Sequence, residues 1–319
     1  MATPSNTITS YDAVGNREDL SDVVYKIAQT MRPFQQNIKK GKVKSTFPEW
    51  QTQSLRAPVT TNKNVQGEDT TTSPAKKTVR LGNRTQIFKE CAAVSRTQQA
   101  VDSAGRPNEM AYQVLLKGEE LLNDMEMSLL ANLAAAPGST ASNDGPVLAG
   151  ALAWISTNAS RGAGGSSGVY STGQGAAGAG TQRTFTEALL KNVLASAFNN
   201  GAVGPKLALM ASAHKQIFSS FTGIADIRRD VSGSNQATIV GAADTYIGDF
   251  GQVTTVPVQF GLTRDVLIID PAYWELAYLT PLKTEALAKT GDSDRKQLVA
   301  EATLKALNEK ASAVIADLL

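Results

Sequence analysis

The sequence predicts an α+β fold, on three observations. Residues Asn108 to Leu133 hold no proline or break, and Leu115, Leu122, Met125, Leu129 and Leu133 recur at spacings compatible with one helical face. The segments Val43 to Leu55 and Lys76 to Phe88 are rich in Thr, Val, Phe and Trp with rough alternation, as in strands. From Thr184 to Phe260 short helical and strand-like patterns alternate, which describes a compact mixed body. With 319 residues, 42% of them hydrophobic, the chain can bury a substantial core.

Residues 1–42 read as an arm, with a polar start, a helix-like run from Glu18 to Thr30, and Pro33 as a breaker. Residues 43–88 form an extended loop, a long hairpin whose middle is polar and contains Pro58, Gly67 and Pro74. Ordering a residue costs about 1–2 kcal/mol in backbone entropy. Val59 and Val65 are the only sizeable aliphatic residues between Arg56 and Lys77, and each returns about 1.5–3 kcal/mol if buried. That segment cannot pack itself, so it is mobile in the monomer or ordered by a neighbour.

Residues 89–150 hold the helix of 108–133, roughly 39 Å long at about 1.5 Å per residue. Glu120 and Asp124 are an unfavourable i,i+4 pair on it unless a cation lies nearby. Residues 151–265 include a Gly/Ala/Ser-rich loop at 160–181. Thr184-Phe-Thr-Glu187 reads as a capping box for a helix to about Asn199, which Asn199-Asn-Gly201 ends. Lys206 to Met210 reads as a buried strand, Ser212 to Phe221 as a helix, and Thr238 to Ile247 and Gln252 to Phe260 as strands. Residues 266–319 return as strands: Val266 to Ile269, an aromatic patch of Tyr273, Trp274 and Tyr278, then a tail from Gln297 to Leu307. In that tail the alternation argues strand while the Ala/Glu/Lys/Leu composition argues helix; strand is favoured.

Composition argues against several function classes. No apolar run approaches the roughly 18–20 residues that span a bilayer, and Met1-Ala-Thr-Pro-Ser-Asn-Thr7 lacks the features of a signal peptide, so function without export or membrane is expected. One cysteine, Cys91, rules out an intramolecular disulfide and a Cys-based zinc site, and one histidine, His214, removes most other metal schemes. Cys91 with His214 is the one nucleophile–base pair to weigh, and nothing around Cys91 looks activated, so both suit half-buried structural positions. Gly173-Gln-Gly-Ala-Ala-Gly178 matches the dinucleotide-binding glycine string, yet no strand precedes it and no acidic residue lies about 20 residues on. Neither an enzyme nor a cofactor is expected. The net charge of +2 hides an asymmetry: residues 1–100 carry 15 basic and 8 acidic residues, the remainder 16 and 21. A basic front and an acidic body suit oriented self-association. The cluster Arg32, Lys39, Lys40, Lys42 and Lys44 could instead face nucleic acid, although Phe34 and Phe47 are too few for a stacking platform.

Asp265-Val-Leu-Ile-Ile-Asp-Pro-Ala-Tyr-Trp-Glu-Leu-Ala-Tyr-Leu279, continuing through Pro281-Leu-Lys-Thr-Glu285 and Ala288-Lys-Thr-Gly-Asp-Ser-Asp294, resembles the major capsid proteins of tailed bacteriophages. Tyr11-Asp-Ala-Val-Gly-Asn-Arg-Glu-Asp-Leu20 and Phe47-Pro-Glu-Trp-Gln-Thr52 resemble the opening of the same family. The resemblance implies a Hong Kong 97-type fold: N-terminal arm 1–42, extended loop 43–88 lying across the adjacent subunit, peripheral domain 89–150 with its spine helix, axial domain 151–265 and return strands 266–319. It implies self-assembly into hexamers and pentamers of an icosahedral head around double-stranded DNA, in the host cytoplasm, with portal, scaffold and decoration proteins as partners. Arg56, Lys63, Lys76, Lys77, Glu120 and Asp124 are then the candidate intersubunit contacts. Some members of the wider fold join subunits by a lysine–asparagine bond, for which Lys63 between Asn62 and Asn64 is the candidate here. A nanocompartment shell of the same fold, or a nucleotide-binding enzyme using the glycine loop, are the alternatives.

Overall fold

The computed structural model describes residues 30–69, 75–101, 105, 108–171, 175–204, 206–221, 244–289 and 291–319. The helix-like run from Glu18, the Tyr11–Leu20 stretch, Gly173 and the start of the strand expected from Thr238 lie outside them. Pro33 opens a helix, α1 (Pro33–Asn37), because its fixed φ and missing N–H suit a first helical position. Next comes β1 (Lys39–Lys42), then β2 (Glu49–Thr52) and β3 (Val79–Gly82), paired antiparallel from Glu49↔Gly82 to Thr52↔Val79. The hairpin ladder is thus shorter than its expected strands. The end of the expected second strand belongs to a separate one, β4 (Gln86–Ser95). Asn83 makes the break: its buried Oδ1 accepts the backbone N–H groups of Arg84 (2.9 Å) and Ala149 (2.9 Å), and its Nδ2 donates to the carbonyls of Ala149 (3.2 Å) and Leu304 (2.7 Å).

Ser95 caps α2 (Arg96–Ala100), and Asn108 caps α3 (Glu109–Leu130), its side chain accepting the N–H of Ala111 at 3.0 Å. The inward face of α3 is Met110, Leu121, Met125, Leu129 and Leu130, whereas Leu115 and Leu133 of the expected stripe are 56% and 42% exposed. The short α4 (Ala151–Trp154) and β5 (Ala159–Ser160) interrupt the loop region. In α5 (Glu187–Asn199) the cap is Thr186, not Thr184, its hydroxyl accepting the N–H of Leu189 at 3.4 Å. Glu187 is therefore the first helical residue, and it pairs with Lys191 at 2.8 Å instead of closing a box. There follow β6 (Lys206–Met210), α6 (Ser212–Ser219), β7 (Thr245–Gly248), β8 (Gly251–Pro257), β9 (Val266–Ile269), β10 (Trp274–Ala286), β11 (Ser293–Ala306) and β12 (Ala313–Ile315). The tail is a strand: Leu298, Ala300, Ala302, Leu304 and Ala306 on β11 are all buried.

Two larger sheets organise these elements, in the orders β1-β10-β11-β4 and β5-β12-β9-β6-β8-β7. Helix α3 packs on β4 and β11, sealing a core of Phe34, Leu121, Met125, Trp154, Trp274 and Leu304. A second core lies around α5, α6 and the six-stranded sheet, with Phe185, Leu194, Phe218 and Ile268. Pro281 sits inside β10 where the register with β11 shifts, between Thr280↔Glu301 and Lys283↔Val299. It lies beyond the β1 pairing, which ends at Lys42↔Tyr278, so its missing N–H leaves no gap in that ladder. At Gly41 of β1 an added Cβ would stand 2.0 Å from Glu275 Oε1, the end of a flexible side chain on the neighbouring strand.

Candidate assembly surfaces

The hairpin has a fixed foot and an unfastened tip. At the foot, Trp50 stacks against Trp154 at 5.6 Å and donates its indole N–H to the Ala306 carbonyl at 3.1 Å. Tyr170 donates to the carbonyls of Ala306 (3.2 Å) and Leu307 (3.0 Å), and burial pushes its hydroxyl up to about 12. Arg84 lies over the Phe47 ring at 5.0 Å, and Arg80 pairs with Glu49 at 3.0 Å. Beyond Thr52 all described residues up to Glu68 are exposed, Leu55 by 94% and Val65 by 76%. The bonds there are local ones. Lys76 Nζ donates to the Leu55 carbonyl (3.1 Å), Gln53 Nε2 to the Lys76 carbonyl (2.8 Å) and Arg56 to the Ala57 carbonyl (3.2 Å). Arg56, Lys63, Lys76 and Lys77 are thus exposed on this hairpin, and among the described residues none of them forms an ion pair.

On α3 the acidic pair has its cation. Lys117 reaches Glu120 at 2.6 Å and Glu90 of β4 at 3.4 Å, and the hydrogen bond to Glu120 raises the lysine's pKa. Asp124 is exposed, its carboxyl raised by partial desolvation and by the nearby Glu90 and Glu120. The helix therefore presents a ridge of Glu120, Asp124 and Met127, all exposed.

The basic cluster divides. Arg32 is half-buried and engaged by α3, donating to Asn123 Oδ1 at 3.1 Å and standing 3.7 Å from Glu119. Lys39, Lys40, Lys42 and Lys44 are exposed on or beside β1, the edge of the four-stranded sheet, and form no ion pair with the described residues. Sequence reasoning missed Glu126. It is fully buried on α3 and accepts the backbone N–H groups of Phe34 (2.8 Å) and Gln35 (3.0 Å) at the start of α1. Nothing in the spacing of a glutamate on a helix signals such a partner. It also missed the apolar exposure of Val203 (86%) and Ile247 (81%).

The alternative chemistries are not brought together. Cys91 is exposed on β4, not half-buried, while His214 is buried in the second core beside Phe185, with a ring separation of 6.2 Å. Among the described residues neither His214 ring nitrogen has a hydrogen-bond partner. In the glycine-rich loop, Asn132 holds Ala177 through both its backbone groups, at 2.8 and 2.6 Å, and Ser166 pairs with Gly178. Asp317 takes the N–H groups of Gly162 (3.0 Å) and Gly180 (2.7 Å). The described part of this loop is stapled to the body by its own backbone. Among the described residues no group of three or more His, Cys, Asp or Glu could hold a metal, and no helix is long and apolar enough to cross a membrane.

Comparison with known proteins agrees with a shell subunit. Among solved structures the chain is similar to the cyanophage A-1(L) capsid asymmetric unit (TM-score 0.64, 11% identity, covering 97% of this chain and 98% of that one). It is similar also to the capsid of cyanophage P-SCSP1u (TM-score 0.63, 11% identity, 100% and 99%). At such identity the likeness is one of fold, the Hong Kong 97-type α+β fold. A curated protein of Escherichia phage Phieco32, named major capsid protein, is 31% identical over 134 residues; the match covers 42% of this chain and spans only 38% of the relative's length. The model of the family described as SU10 major capsid protein matches residues 4–319. By that match the chain belongs to the SU10 major capsid protein family.

Proposed function

We propose that the chain is the head-building subunit of a tailed phage, associating with itself into hexamers and pentamers that tile an icosahedral shell around double-stranded DNA. The observation that carries this reading is the hairpin beyond Thr52: an arm exposed throughout its described length to Glu68, basic and too poor in apolar residues to fold on itself. Such an arm is stable when a neighbour lies beneath it. In a heterologous ring each copy lends its arm to the next, and closure by rotation leaves every arm occupied. Arg56, Lys63, Lys76 and Lys77 are the contacts on the arm, and the ridge with Glu120 and Asp124 is the acidic surface that receives it. Residues 1–42, 43–88, 89–150, 151–265 and 266–319 then act as arm, extended loop, peripheral domain, axial domain and return strands. Lys39, Lys40, Lys42 and Lys44 face the packaged DNA, with Arg32 spent on α3. Assembly in the host cytoplasm with a portal, a scaffold and decoration proteins completes the reading, and neither cofactor nor catalysis enters it.

The test is to neutralise Arg56, Lys63, Lys76 and Lys77 together to glutamine and follow assembly by electron microscopy and sedimentation. Loss of closed shells and ring-shaped capsomers, with the monomer's circular dichroism unchanged, is the expected result. Particles of unaltered yield and stability would remove the arm from the interface.

A further inference from the structure

Between Asn132, just past the end of α3, the glycine-rich loop and the last residues of the chain lies a cavity of about 190 Å³, whose walls include Arg161, Ala177, Arg264, Asp265 and Asp317. Most polar groups in those walls are already engaged. Asn132 is spent on Ala177, and Asp317 on the N–H groups of Gly162 and Gly180, while Asp265 accepts the Asp317 N–H. Gln182, with its amide oxygen turned towards Arg264, takes that arginine's Nε at 3.0 Å and Nη2 at 3.1 Å. Arg161 is the exception: its Nε and Nη2 are buried and have no hydrogen-bond partner among the described residues.

Those two nitrogens carry the N–H pair along one edge of the guanidinium, the fork that receives both oxygens of a carboxylate. Burial lowers the arginine's pKa, and Asp265 and Asp317 oppose this as nearby charges without bonding either nitrogen. Counting Arg183, which holds the Ser160 hydroxyl at 2.8 Å and the chain end through its backbone, three arginines stand with two aspartates. The excess is one positive charge, so a monoanion balances the site and a phosphate dianion does not. At roughly 30 Å³ per water, the cavity has room for a carboxylate and its stem. The loop makes a close wall: at Gly162 a Cβ would stand 2.0 Å from the Thr181 carbonyl oxygen, and at Gly180 2.6 Å from that of Gly162. We propose that this cavity is a carboxylate site in which Arg161 holds both oxygens of one carboxylate, supplied by a side chain of a second copy or by a small carboxylate in solution. The first source rests on the shell reading, and the second does not.

Acetate tests it on the full, unassembled chain. Arginine Nε–H resonances are followed by NMR while sodium acetate replaces sodium chloride at constant ionic strength. The Arg161 resonance is identified by its loss in Arg161→Lys, which keeps the charge but not the fork. A saturable shift of that resonance is expected. Should the lysine variant not fold, Ala179→Glu identifies the same resonance, since a carboxylate on the cavity wall shifts it without acetate and removes the response. No saturable shift at Arg161 overturns the site and means that water alone fills the fork. Melting of assembled particles then separates the sources. Arg161→Lys particles that melt lower than the parent's, with the free subunits equally stable, assign the carboxylate to a neighbouring copy, and equal melting assigns it to solution. If the parent forms no particles, the shell reading fails and the acetate titration alone decides the site.

Discussion

The carboxylate of Glu126 lies fully buried 2.8 Å from the backbone nitrogen of Phe34, and its second oxygen lies 3.0 Å from that of Gln35. One side chain in the middle of α3 therefore satisfies two N–H groups that a helix start leaves open, in a place water does not reach. Arg32 beside it and the Gln35 amide, which donates to the Leu122 carbonyl at 2.8 Å, complete the attachment of the N-terminal segment to the long helix. Glu126→Ala is expected to destabilise the subunit by about 2–4 kcal/mol, since it leaves two buried donors unpaired and opens a cavity. Urea unfolding of the unassembled protein measures it, and a loss below about 1 kcal/mol would mean that α1 is held by packing alone.

The same residue gives a pH dependence whose sign is fixed. Burial raises the Glu126 carboxyl above its ordinary 4.5, outweighing the hydrogen bonds and Arg32, which act to lower it. The folded state then holds the proton more tightly than the unfolded chain. Its contribution is full below about 4.5 and is lost as pH rises through the raised value. Glu126→Gln should remove this component, so the difference in stability between parent and variant shifts against the parent as pH rises from about 4 towards neutrality. Urea midpoints across that range give the slope, and parallel profiles would refute it.

Much of this architecture was legible in the residues, and the failures have physical causes. Buried strands such as Val266–Ile269 and Lys206–Met210 are short unbroken apolar runs between breakers, and they stand where the pattern put them. The tail's alternation outweighed its helical composition because its partner strands supply a pleated surface on which Ala300, Ala302 and Leu304 can bury. The face of α3 was only partly placed, with Met125 and Leu129 buried as expected but Leu115 and Leu133 exposed, because periodicity reports that a helix is amphipathic, while its orientation depends on what covers it. Here β4 and α1 cover it, and α1 draws a glutamate inward. The candidate surface was legible as composition, a basic stretch that cannot pack itself. The cavity at Arg161 was not, since Asn132 and Asp317 in its walls are more than 180 residues apart in the chain.

Two closely packed glycines differ in what they touch, one a flexible side chain and the other backbone. At Gly150 a Cβ would stand 2.0 Å from the Ala131 carbonyl oxygen, just beyond the end of α3, whereas at Gly41 it would meet only the end of Glu275. Gly150→Ala should cost more than about 3 kcal/mol or prevent folding, because the chain after the helix cannot move aside. Gly41→Ala should cost about 1 kcal/mol or less, as Glu275 swings away and gives up its ion pair with Lys305, which spans 2.8 Å. Thermal or urea unfolding of the two variants gives the contrast, and equal costs would contradict it.

The exposed arm predicts a difference in cleavage between free and assembled protein. Arg56, Lys63, Lys76 and Lys77 place four tryptic sites on backbone that makes only local bonds, and cleavage of such segments follows the free energy of local opening. Trypsin should cut the unassembled subunit within 56–77 before any other described segment, leaving a body held together by its two cores. In assembled particles the same sites should be protected. Mass spectrometry of timed digests locates the cuts, and equal rates in both states would argue that the arm stays in solvent after assembly.

If Lys39, Lys40, Lys42 and Lys44 face DNA, their contribution must appear as counterion release. Each lysine that meets a phosphate adds about 0.9 to the slope of log affinity against log salt for duplex DNA. Changing all four to glutamine should therefore lower that slope by about 3–4 and weaken binding alike for any sequence, since edge-strand lysines contact phosphates and do not read bases. Folding should be nearly unaffected, because all four side chains are exposed and form no ion pair with the described residues. Arg32→Gln makes the contrasting control. Its guanidinium is held against Glu119 and Asn123, so its loss should reduce stability and leave the salt slope unchanged. Fluorescence anisotropy of a labelled duplex at several salt concentrations, with urea unfolding of the same variants, measures both. A slope unchanged in the quadruple variant would place these lysines at a protein contact, and a slope lowered by Arg32→Gln would mean that the arginine leaves α3 to reach DNA.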